Sequence, residues 1–332
     1  MFQIVYFSPS PPNASGGVKV IYRHATLINN YDFEQSVSAS VFHFENSNLK
    51  CQWFQGAIPM KSDGLLIANR DFVVLPECHL HDYWRRFFVE GIRYGIFVQN
   101  AYLIGGGLSQ AEVREAFMKA ALVMTISEDS RRYVNQLFPA IAHKVISLRW
   151  SIDSELFSPS STPSRLISFM PRRMYEHARL VCDLISFRLP SDWSIVALDG
   201  LTEEQIAAGL RNSRIFMSFS GLEGLPLPPA EAALAGNRVV GYHGQGGREY
   251  WDPALFREVA CGDIQGFARA VLEEIEAIEN RAASGMTTED ESQVKARELL
   301  KQRFSPEREA ELLKVFVQRV AELMGPSSAL PQ

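Results

Sequence analysis

The chain has 332 residues, of which 46% are hydrophobic, 21% charged and 11% aromatic, and such a composition is that of an ordinary globular protein. This length exceeds that of one ordinary domain and predicts two, while the composition excludes a disordered, collagen-like or coiled-coil chain. The 33 basic and 38 acidic residues give a formal charge of −5. Because a protein that binds nucleic acid normally has a basic excess, no nucleic-acid partner is expected.

Cysteine spacing and hydropathy indicate the compartment. The four cysteines lie far apart and form no C-x-x-C pair, which argues against a zinc site and against a disulfide framework: Cys51, Cys78, Cys182 and Cys261. No segment approaches the roughly 20 apolar residues needed to cross a bilayer. The N-terminus has no basic region before its first apolar run, so no signal peptide is expected. A cytoplasmic location follows, with at most peripheral contact with the inner face of a membrane.

The first half of the chain alternates short β-branched or aromatic runs with longer amphipathic stretches. Continuous apolar strands that alternate with helices predict a parallel sheet covered on both faces. The predicted strands are Gln3–Ser8, Ser36–Phe44, Phe72–Leu75, Gly95–Gln99, Leu122–Ile126 and Val145–Leu148. The predicted helices are Val18–Asn29, His81–Glu90, Gln110–Lys119 and Asp129–Phe138.

The second half repeats this alternation after a Pro/Ser-rich linker, Ser158–Ser164. A final helix begins at Ser305-Pro306-Glu307, where a capping residue, a proline and an acid follow one another, and its apolar residues recur at helical spacing. The charged stretch Glu289–Arg303 predicts a solvated helix. The other strands are predicted at Leu166–Met170, Ser194–Leu198, Arg214–Phe219 and Arg238–Gly241, and the other helices at Arg173–Phe187, Glu203–Arg211, Pro229–Ala235 and Ile264–Glu279.

The segment Ser218–Ala232 carries the most informative pattern of the chain. It predicts a strand that ends near Phe219, a loop with two glycines, and a helix that Pro228-Pro229 opens and Gly236 closes. Free N–H groups of such a loop and the positive end of the helix dipole converge on one position, which is typical of an anion site.

Two glutamates, Glu223 and Glu231, lie beside this predicted anion site. A carboxylate there is suited to accept hydrogen bonds from hydroxyl groups that flank a phosphate, as in a nucleotide sugar. Alternatively, Glu231 only complements the helix dipole from the first helical turn. The residues by themselves leave both interpretations open.

The run E-G-L-P-L-P-P-A-E from Glu223 to Glu231 resembles the E-x7-E motif of retaining glycosyltransferases with the GT-B fold, specifically glycosyl transferase group 1, or family 4. In that family the second glutamate holds the ribose hydroxyls of the donor, the first contacts the donor sugar, and amides of the intervening loop bind the diphosphate. The resemblance implies these roles here, although Pro226 has no N–H to donate. The implied donor-binding loop residues are Ser220, Gly224, Leu225, Pro226 and Leu227.

Two arginines fit the same resemblance. Arg172 and Arg173 end the first strand of the second half, where the family places basic residues on the diphosphate. The planar fork of an arginine binds phosphate oxygens bidentately. The resemblance therefore implies that both arginines act with Glu223 in catalysis, and the alternative is that they are solvated residues at a strand end.

Three glycine turns also correspond to turns of the family. Gly16 and Gly17 resemble the loop after the first strand, which approaches the donor phosphate and the acceptor, although a plain strand-to-helix turn explains them equally. Gly244–Glu249 resembles the turn that follows the next strand after the motif, and its spacing is not that of a dinucleotide fingerprint. Gly200 is expected beside the nucleotide base.

The acceptor side departs from the family pattern. Many relatives carry a histidine at the end of a middle strand, whereas Asn100 stands at the corresponding position here. His79 and His81 follow an earlier strand and are alternative acceptor-side groups, of which His81 is the candidate, although a lone histidine is more often structural. This departure leaves the acceptor-side base unassigned.

The resemblance implies an α/β chain of GT-B architecture, with two Rossmann-like domains facing each other across a cleft. The acceptor-side domain is expected in residues 1–152 and the nucleotide-sugar domain in residues 153–305. Residues 306–325 are expected to form a helix that crosses back onto the first domain, and residues 326–332 a disordered tail.

The implied activity is transfer of a sugar, with retention of configuration, from a UDP-, GDP- or dTDP-linked donor to a hydroxyl of a saccharide or lipid-linked glycan in bacterial surface polysaccharide synthesis. No cofactor and no metal are expected, since the sequence has no D-x-D triplet and no His/Cys cluster with metal-ligand spacing. The arginines and loop amides would stabilise the departing diphosphate.

Three other functions are weighed against this activity. A GT-B enzyme that is not a transferase, such as a nucleotide-sugar epimerase or hydrolase, would consume the donor without an acceptor. A non-catalytic nucleotide-sugar-binding subunit is suggested by Asn100. A nicotinamide dehydrogenase is disfavoured, because no G-x-G-x-x-G follows the first strand.

Overall fold

The structure is a computed structural model that describes residues 2–10, 15–33, 36–45, 54, 56–285 and 289–325. The chain forms two units, Met1–Trp150 with Glu309–Gln332 (unit 1) and Ser151–Arg308 (unit 2). The first boundary lies before Ser151, because the Ile152 N–H donates to the Phe304 carbonyl of unit 2 at 2.9 Å. Cys51 and the predicted tail 326–332 lie outside the described residues.

Unit 1 contains a six-stranded sheet in the order β2-β1-β3-β4-β5-β6, and every strand pair is parallel. The prediction of a parallel α/β sheet is therefore confirmed. Its strands are β1 (Phe2–Ser8), β2 (Val37–His43), β3 (Asp71–Pro76), β4 (Arg93–Val98), β5 (Leu122–Thr125) and β6 (Val145–Ser147). Its helices are α1 (Gly16–Asn30), α2 (Leu80–Val89), α3 (Gln110–Lys119) and α4 (Glu128–Leu137), joined by the final helix of the chain.

Both faces of this sheet are covered, which explains the continuous apolar runs in its central strands, such as Ile4–Phe7 in β1 and Phe72–Leu75 in β3. Side chains alternate along β1, so Ile4 and Tyr6 pack with α1 on one face, whereas Val5 and Phe7 pack with α2 on the other. All four are buried. Two helices of this unit begin at serine caps: the Ser109 hydroxyl and Glu112 form a capping box at α3, and the Ser127 side chain accepts the Ser130 N–H at α4.

Unit 2 contains a five-stranded parallel sheet in the order β11-β10-β9-β7-β8. The sequence predicted four of these strands and missed the three-residue edge strand β11. The strands are β7 (Leu166–Phe169), β8 (Ser194–Ala197), β9 (Ile215–Glu223), β10 (Arg238–Gln245) and β11 (Phe256–Glu258). The helices are α5 (Tyr175–Ser186), α6 (Glu203–Asn212), α7 (Pro228–Leu234), α8 (Ile264–Ala283) and α9 (Glu291–Arg303).

The final helix, α10 (Pro306–Met324), begins at the predicted proline and is part of unit 1 from Glu309 onward. Leu313, Phe316 and Val320 are fully buried in the same cluster as residues of β1 and α1. The Arg23 Nε of α1 donates to both carboxylate oxygens of the buried Glu309, at 2.9 and 2.8 Å. Both apolar packing and this ion pair therefore fasten α10 to unit 1.

The buried His24 makes the stability of unit 1 depend on pH. Its ring is fully buried, and burial lowers its pKa from 6.5 to about 3 although Glu309 Oε1 lies 3.9 Å from Nε2. Between about pH 6.5 and pH 3 the unfolded chain binds a proton that the folded chain does not, so stability is complete above this window and falls as the pH falls through it. At about pH 5 we expect a loss of about 2 kcal/mol.

Urea unfolding of the wild type and of His24→Leu tests this dependence. The difference in free energy of unfolding between the two proteins should shrink by about 2 kcal/mol between about pH 7.5 and pH 5. The exposed His143 is the control, since His143→Leu should follow the wild type at both pH values. A constant difference between His24→Leu and the wild type would contradict the assignment.

Within the described residues, no helix combines the length and the apolar character that a membrane span requires.

Candidate functional site

The strand that carries the first motif glutamate is longer than the sequence predicted. β9 does not end near Phe219 but continues through Ser220 and Gly221 to Glu223, which lies opposite Gln245 of β10. The pairing register shifts between His243 and Gln245, and this irregularity allows the two strands to stay paired past their small residues. Glu223 therefore stands at the end of a paired strand, not inside a free loop.

The helix after the motif loop offers fewer N–H groups to a bound anion than the sequence predicted. α7 spans seven residues and begins with Pro228 and Pro229, neither of which has an N–H group. Its first turn thus supplies fewer donors than an ordinary helix N-terminus. The amides that remain to bind the predicted anion belong to Gly224, Leu225 and Leu227, which precede the helix, and the anion site stays a prediction.

A glycine turn packs directly against this loop. Gly244–Gly247 ends β10 and opens a short 3-10 helix, Gly246–Tyr250. A Cβ on Gly246 would overlap the Gly224 carbonyl, and one on Gly247 would lie 3.1 Å from Pro226 Cγ. Only glycine fits at such a close approach of two backbones, so the turn and the motif loop are one packed structure.

Glu223 carries the electrostatics of the site. Its side chain is only 19% exposed, and Arg173 Nε lies 3.8 Å from its Oε1. Burial raises the pKa of Glu223 above its ordinary value, and the charges of Arg173 and Arg172 partly offset that rise. The largely buried Glu223 carboxylate therefore interacts electrostatically with the exposed guanidinium groups of Arg173 and Arg172.

The two arginines precede α5 instead of starting it. Met174 adopts a left-handed conformation with φ of 47°, and α5 begins only at Tyr175. The Met174 Sδ atom lies 3.3 Å from the position that a Cβ on Gly221 would occupy. This turn leaves Arg172 and Arg173 in a bend after β7, with exposed side chains.

Tyr250 is a residue of this site that sequence reasoning missed. Its hydroxyl donates to the Pro226 carbonyl, and its ring is buried. Burial raises the pKa of Tyr250 well above its ordinary value, and the charges of Glu223, Glu249 and Glu231 raise it further. Both motif glutamates are therefore among the charges that act on the Tyr250 phenol. An aromatic residue shortly after two glycines is too common a pattern to have revealed this.

The remaining predicted residues of unit 2 fall into two groups. Leu225, Pro226 and Ser220 are buried in or beside the loop, and the Ser218 hydroxyl lies 3.4 Å from that of Ser220. Gly200 occupies a separate turn after β8 with φ of 66°, and β7 separates β8 from β9 in the sheet. The structure therefore gathers the loop residues but leaves Gly200 two strands away from Glu223.

Unit 1 gathers a polar group of its own at the carboxyl ends of β3 and β4. Gln99 Nε2 donates to the Gly17 carbonyl at 3.1 Å, and a Cβ on Gly17 would overlap Gln99 Oε1, whereas Gly16 has open space around it. The Asn100 carboxamide accepts the Tyr102 N–H at 3.1 Å and so caps a short turn. His81 is separate and lies 3.0 Å from Asp82.

Glu77 holds this group together and was also missed. Glu77 is buried at the end of β3. Its carboxylate accepts hydrogen bonds from the backbone N–H groups of Gln99, at 3.1 Å, and Asn100, at 2.8 Å. Burial raises its pKa to about 7, against the opposite effect of those two amides. An acid immediately after an apolar strand was the available signal, since buried carboxylates are rare unless hydrogen-bonded.

Metal-binding side chains do not cluster in the described part of the chain: no group of three or more His, Cys, Asp or Glu residues there is arranged to hold an ion.

Comparison with known proteins establishes the fold. No family model matches the sequence, and no curated protein matches it. Among solved structures, the sucrose-phosphate synthase of Thermosynechococcus elongatus superposes with a TM-score of 0.70 at 12% identity, over 97% of this chain and 100% of that one. HepE of Anabaena in complex with UDP-glucose gives 0.68 at 14% identity, over 96% and 100%.

The lipopolysaccharide outer core galactosyltransferase WaaB in its apo form gives a TM-score of 0.64 at 13% identity, over 97% of this chain and 99% of that one. These three similarities extend over nearly the whole length of this chain and of the three solved chains. Together with the two parallel sheets they show that this chain has the GT-B fold.

Proposed function

We propose that this chain is a retaining glycosyltransferase, which moves a sugar from a nucleoside-diphosphate sugar to a hydroxyl acceptor, and that unit 2 binds the donor. The observation that carries the proposal is the grouping of Glu223, Arg173 and the glycine turn on the motif loop. Ligands of parallel α/β sheets bind outside the carboxyl ends of the strands, which is where this group lies. Solved structures of the same fold include one with UDP-glucose bound and a galactosyltransferase.

The diphosphate of the donor is assigned to Arg172 and Arg173 with the loop amides of Gly224, Leu225 and Leu227. Because Arg173 is exposed and 3.8 Å from Glu223, that pair is loose, and a diphosphate can compete for the guanidinium. Negative charge grows on the diphosphate as the sugar departs. Donors placed around it before the reaction stabilise the transition state more than the bound donor, which is the requirement for catalysis.

The two motif glutamates are assigned to the hydroxyl groups of the donor. Glu231 accepts hydrogen bonds from the ribose, and Glu223 contacts the sugar to be transferred, with Ser220 of the same strand, β9. In this assignment the cationic and amide groups take the place of a metal ion, so the reaction is metal-independent. Retention follows from attack on the same face that the diphosphate leaves, with a phosphate oxygen helping to take the acceptor proton.

The acceptor is assigned to unit 1 and to the class of saccharides or lipid-linked glycans of bacterial surface polysaccharides. Asn100 and His81 are the proposed acceptor-side residues. The neutral Asn100 carboxamide, which caps the turn at Tyr102, is not available as a base. A peripheral position at the inner membrane face agrees with a lipid-linked acceptor.

Calorimetry with UDP, GDP and dTDP in the presence of EDTA tests the donor site. We expect one of these nucleotides to bind. Glu231→Ala should weaken its binding about ten- to hundredfold, which is the effect of losing one or two hydrogen bonds to a charged group. Glu204→Ala is the matched control, because Glu204 also lies in the first turn of a helix of unit 2 and should not matter.

Two results would contradict the donor assignment. One is the absence of any nucleoside diphosphate that binds tighter than about millimolar. The other is binding that strictly requires a divalent cation. Because the preferred base limits the sugars attached to it, the same titrations also narrow the donor.

A further inference from the structure

The glycine turn contains a residue in a strained conformation. Gln245 has φ of 68° and ψ of −62°, the geometry of a γ-turn that is rare and costly for any residue with a Cβ. Such a conformation persists only when its surroundings impose it. Gln245 is the residue of the turn opposite Glu223, so whatever imposes the conformation acts next to the donor site.

The side chain of His243 makes a hydrogen bond to this strained residue. The Gln245 N–H donates to His243 Nδ1 at 2.9 Å, and the imidazole is 9% exposed. Because Nδ1 accepts, the neutral ring carries its proton on Nε2, which faces Glu258 Oε1 at 3.3 Å. Trp251 contacts the ring edge to face. Arg248 Nη2 lies 3.3 Å from Nε2, but both atoms carry hydrogen in this tautomer, so no hydrogen bond joins them. The imidazole is thus fixed from several sides.

The other side of the turn touches the motif loop. Gly244 has φ of 64°, and a Cβ there would lie 2.9 Å from Ser220 Cβ and 3.3 Å from Pro226 Cγ. Gly246 packs on the Gly224 carbonyl, and the Tyr250 hydroxyl donates to the Pro226 carbonyl. A rotation at Gln245 would move Gly246, and the Gly224–Pro226 backbone could not keep its position.

We propose that His243 is a positioning residue of the donor site: its Nδ1 holds the Gln245 turn, and the turn fixes the backbone of Glu223–Leu227 in the conformation that binds a diphosphate. This inference rests on the proposed function, since it assigns His243 to the same site. His243 acts through Gln245 and the glycines and does not touch the donor.

Variants at His243 test the role of its acceptor atom. His243→Leu should weaken binding of the preferred nucleoside diphosphate about tenfold, the effect of one hydrogen bond and released strain. His243→Asn should bind within about twofold of wild type, because its Oδ1 replaces Nδ1 as the acceptor. His177→Leu is the control, since His177 is the other histidine of unit 2 and bonds to Tyr242. If His243→Asn lost as much affinity as His243→Leu, the proposal would be overturned.

A double-mutant cycle tests whether the effect passes through Gln245. Glycine adopts positive φ without strain, so in a Gln245→Gly background the turn needs no acceptor to hold it. In that background we expect His243→Leu to lower the affinity for the nucleoside diphosphate less than about threefold, against about tenfold in the wild type. An equal loss in both backgrounds would overturn the proposal.

Amide hydrogen exchange separates failure of this inference from failure of the proposed function. In His243→Leu the amides of Gln245, Gly224, Leu225 and Leu227 should exchange at least about tenfold faster than in wild type, with or without nucleotide. Unchanged exchange in this segment would overturn the inference even if nucleotide affinity fell. If the wild type bound no nucleoside diphosphate, the proposed function would fail, and the exchange rates would still decide whether His243 positions the loop.

Discussion

Replacing Gly246 by alanine is expected to abolish detectable binding of nucleoside diphosphate and to destabilise unit 2 by about 3 kcal/mol. The added Cβ would overlap the Gly224 carbonyl and lie 2.9 Å from the Glu223 carbonyl oxygen. Neither obstacle is the end of a flexible side chain, so the strand end and the glycine turn must separate. That separation displaces the loop amides to which we assign the diphosphate.

Gly106→Ala is the matched control for this substitution. A Cβ on Gly106 would meet its nearest atom, the Leu103 carbonyl oxygen, at an ordinary 3.7 Å, and Gly106 is in unit 1. Urea unfolding gives the change in stability, and hydrogen exchange resolved by peptide shows whether β9 and β10 are affected. Binding within a few-fold of wild type in Gly246→Ala would mean that the loop does not hold the diphosphate.

The sequence predicts the parallel framework because burial leaves a pattern there. β1 and β4 are covered on both faces and therefore read as unbroken apolar runs, and α10 reads as one buried stripe because only one face meets the core. Elements without such a pattern were missed. β11 has three residues, and β9 passes through Ser220-Gly221, a pair that resembles a loop until β10 is seen beside it.

The candidate site divides in the same way. Glu223 and Glu231 were predicted because their spacing in the sequence is itself a signal, and Arg173 was predicted from the family resemblance at the end of β7. Tyr250 and His243 act through contacts with residues that the fold brings to them, such as the hydrogen bond from Tyr250 to Pro226. The positive φ of Gln245 leaves no mark on the sequence, because glutamine gives no hint of such a conformation. Supporting residues of a site therefore required the structure.

Replacing Glu223 by glutamine is expected to reduce sugar transfer about a hundred- to thousandfold, the effect of removing one group that stabilises a transition state. The amide keeps the shape of the side chain but removes a charge that lies at the end of β9 beside Arg173 and Arg172. Nucleoside diphosphate affinity should stay within a few-fold of wild type or rise, because both arginines lose a carboxylate that competes with the diphosphate. Loss of turnover with retained binding is thus the expected signature.

The measurement is release of UDP, GDP or dTDP from the sugar nucleotide whose base binds in calorimetry, with and without saccharide and lipid-linked saccharide acceptors. Glu274→Gln is the matched control, since Glu274 is also largely buried in unit 2 and pairs with Arg238 at 3.2 Å and Arg257 at 3.4 Å, yet is not assigned to the donor. Transfer by Glu223→Gln within about tenfold of wild type would remove Glu223 from the mechanism.

The same assays distinguish the alternative functions. Consumption of the donor by the wild type without an acceptor would identify an epimerase or hydrolase. Tight nucleotide binding without any turnover would identify a binding subunit. Only acceptor-dependent release that Glu223→Gln loses and Glu274→Gln keeps supports a transferase, because it requires both the donor site and a reaction that depends on its carboxylate.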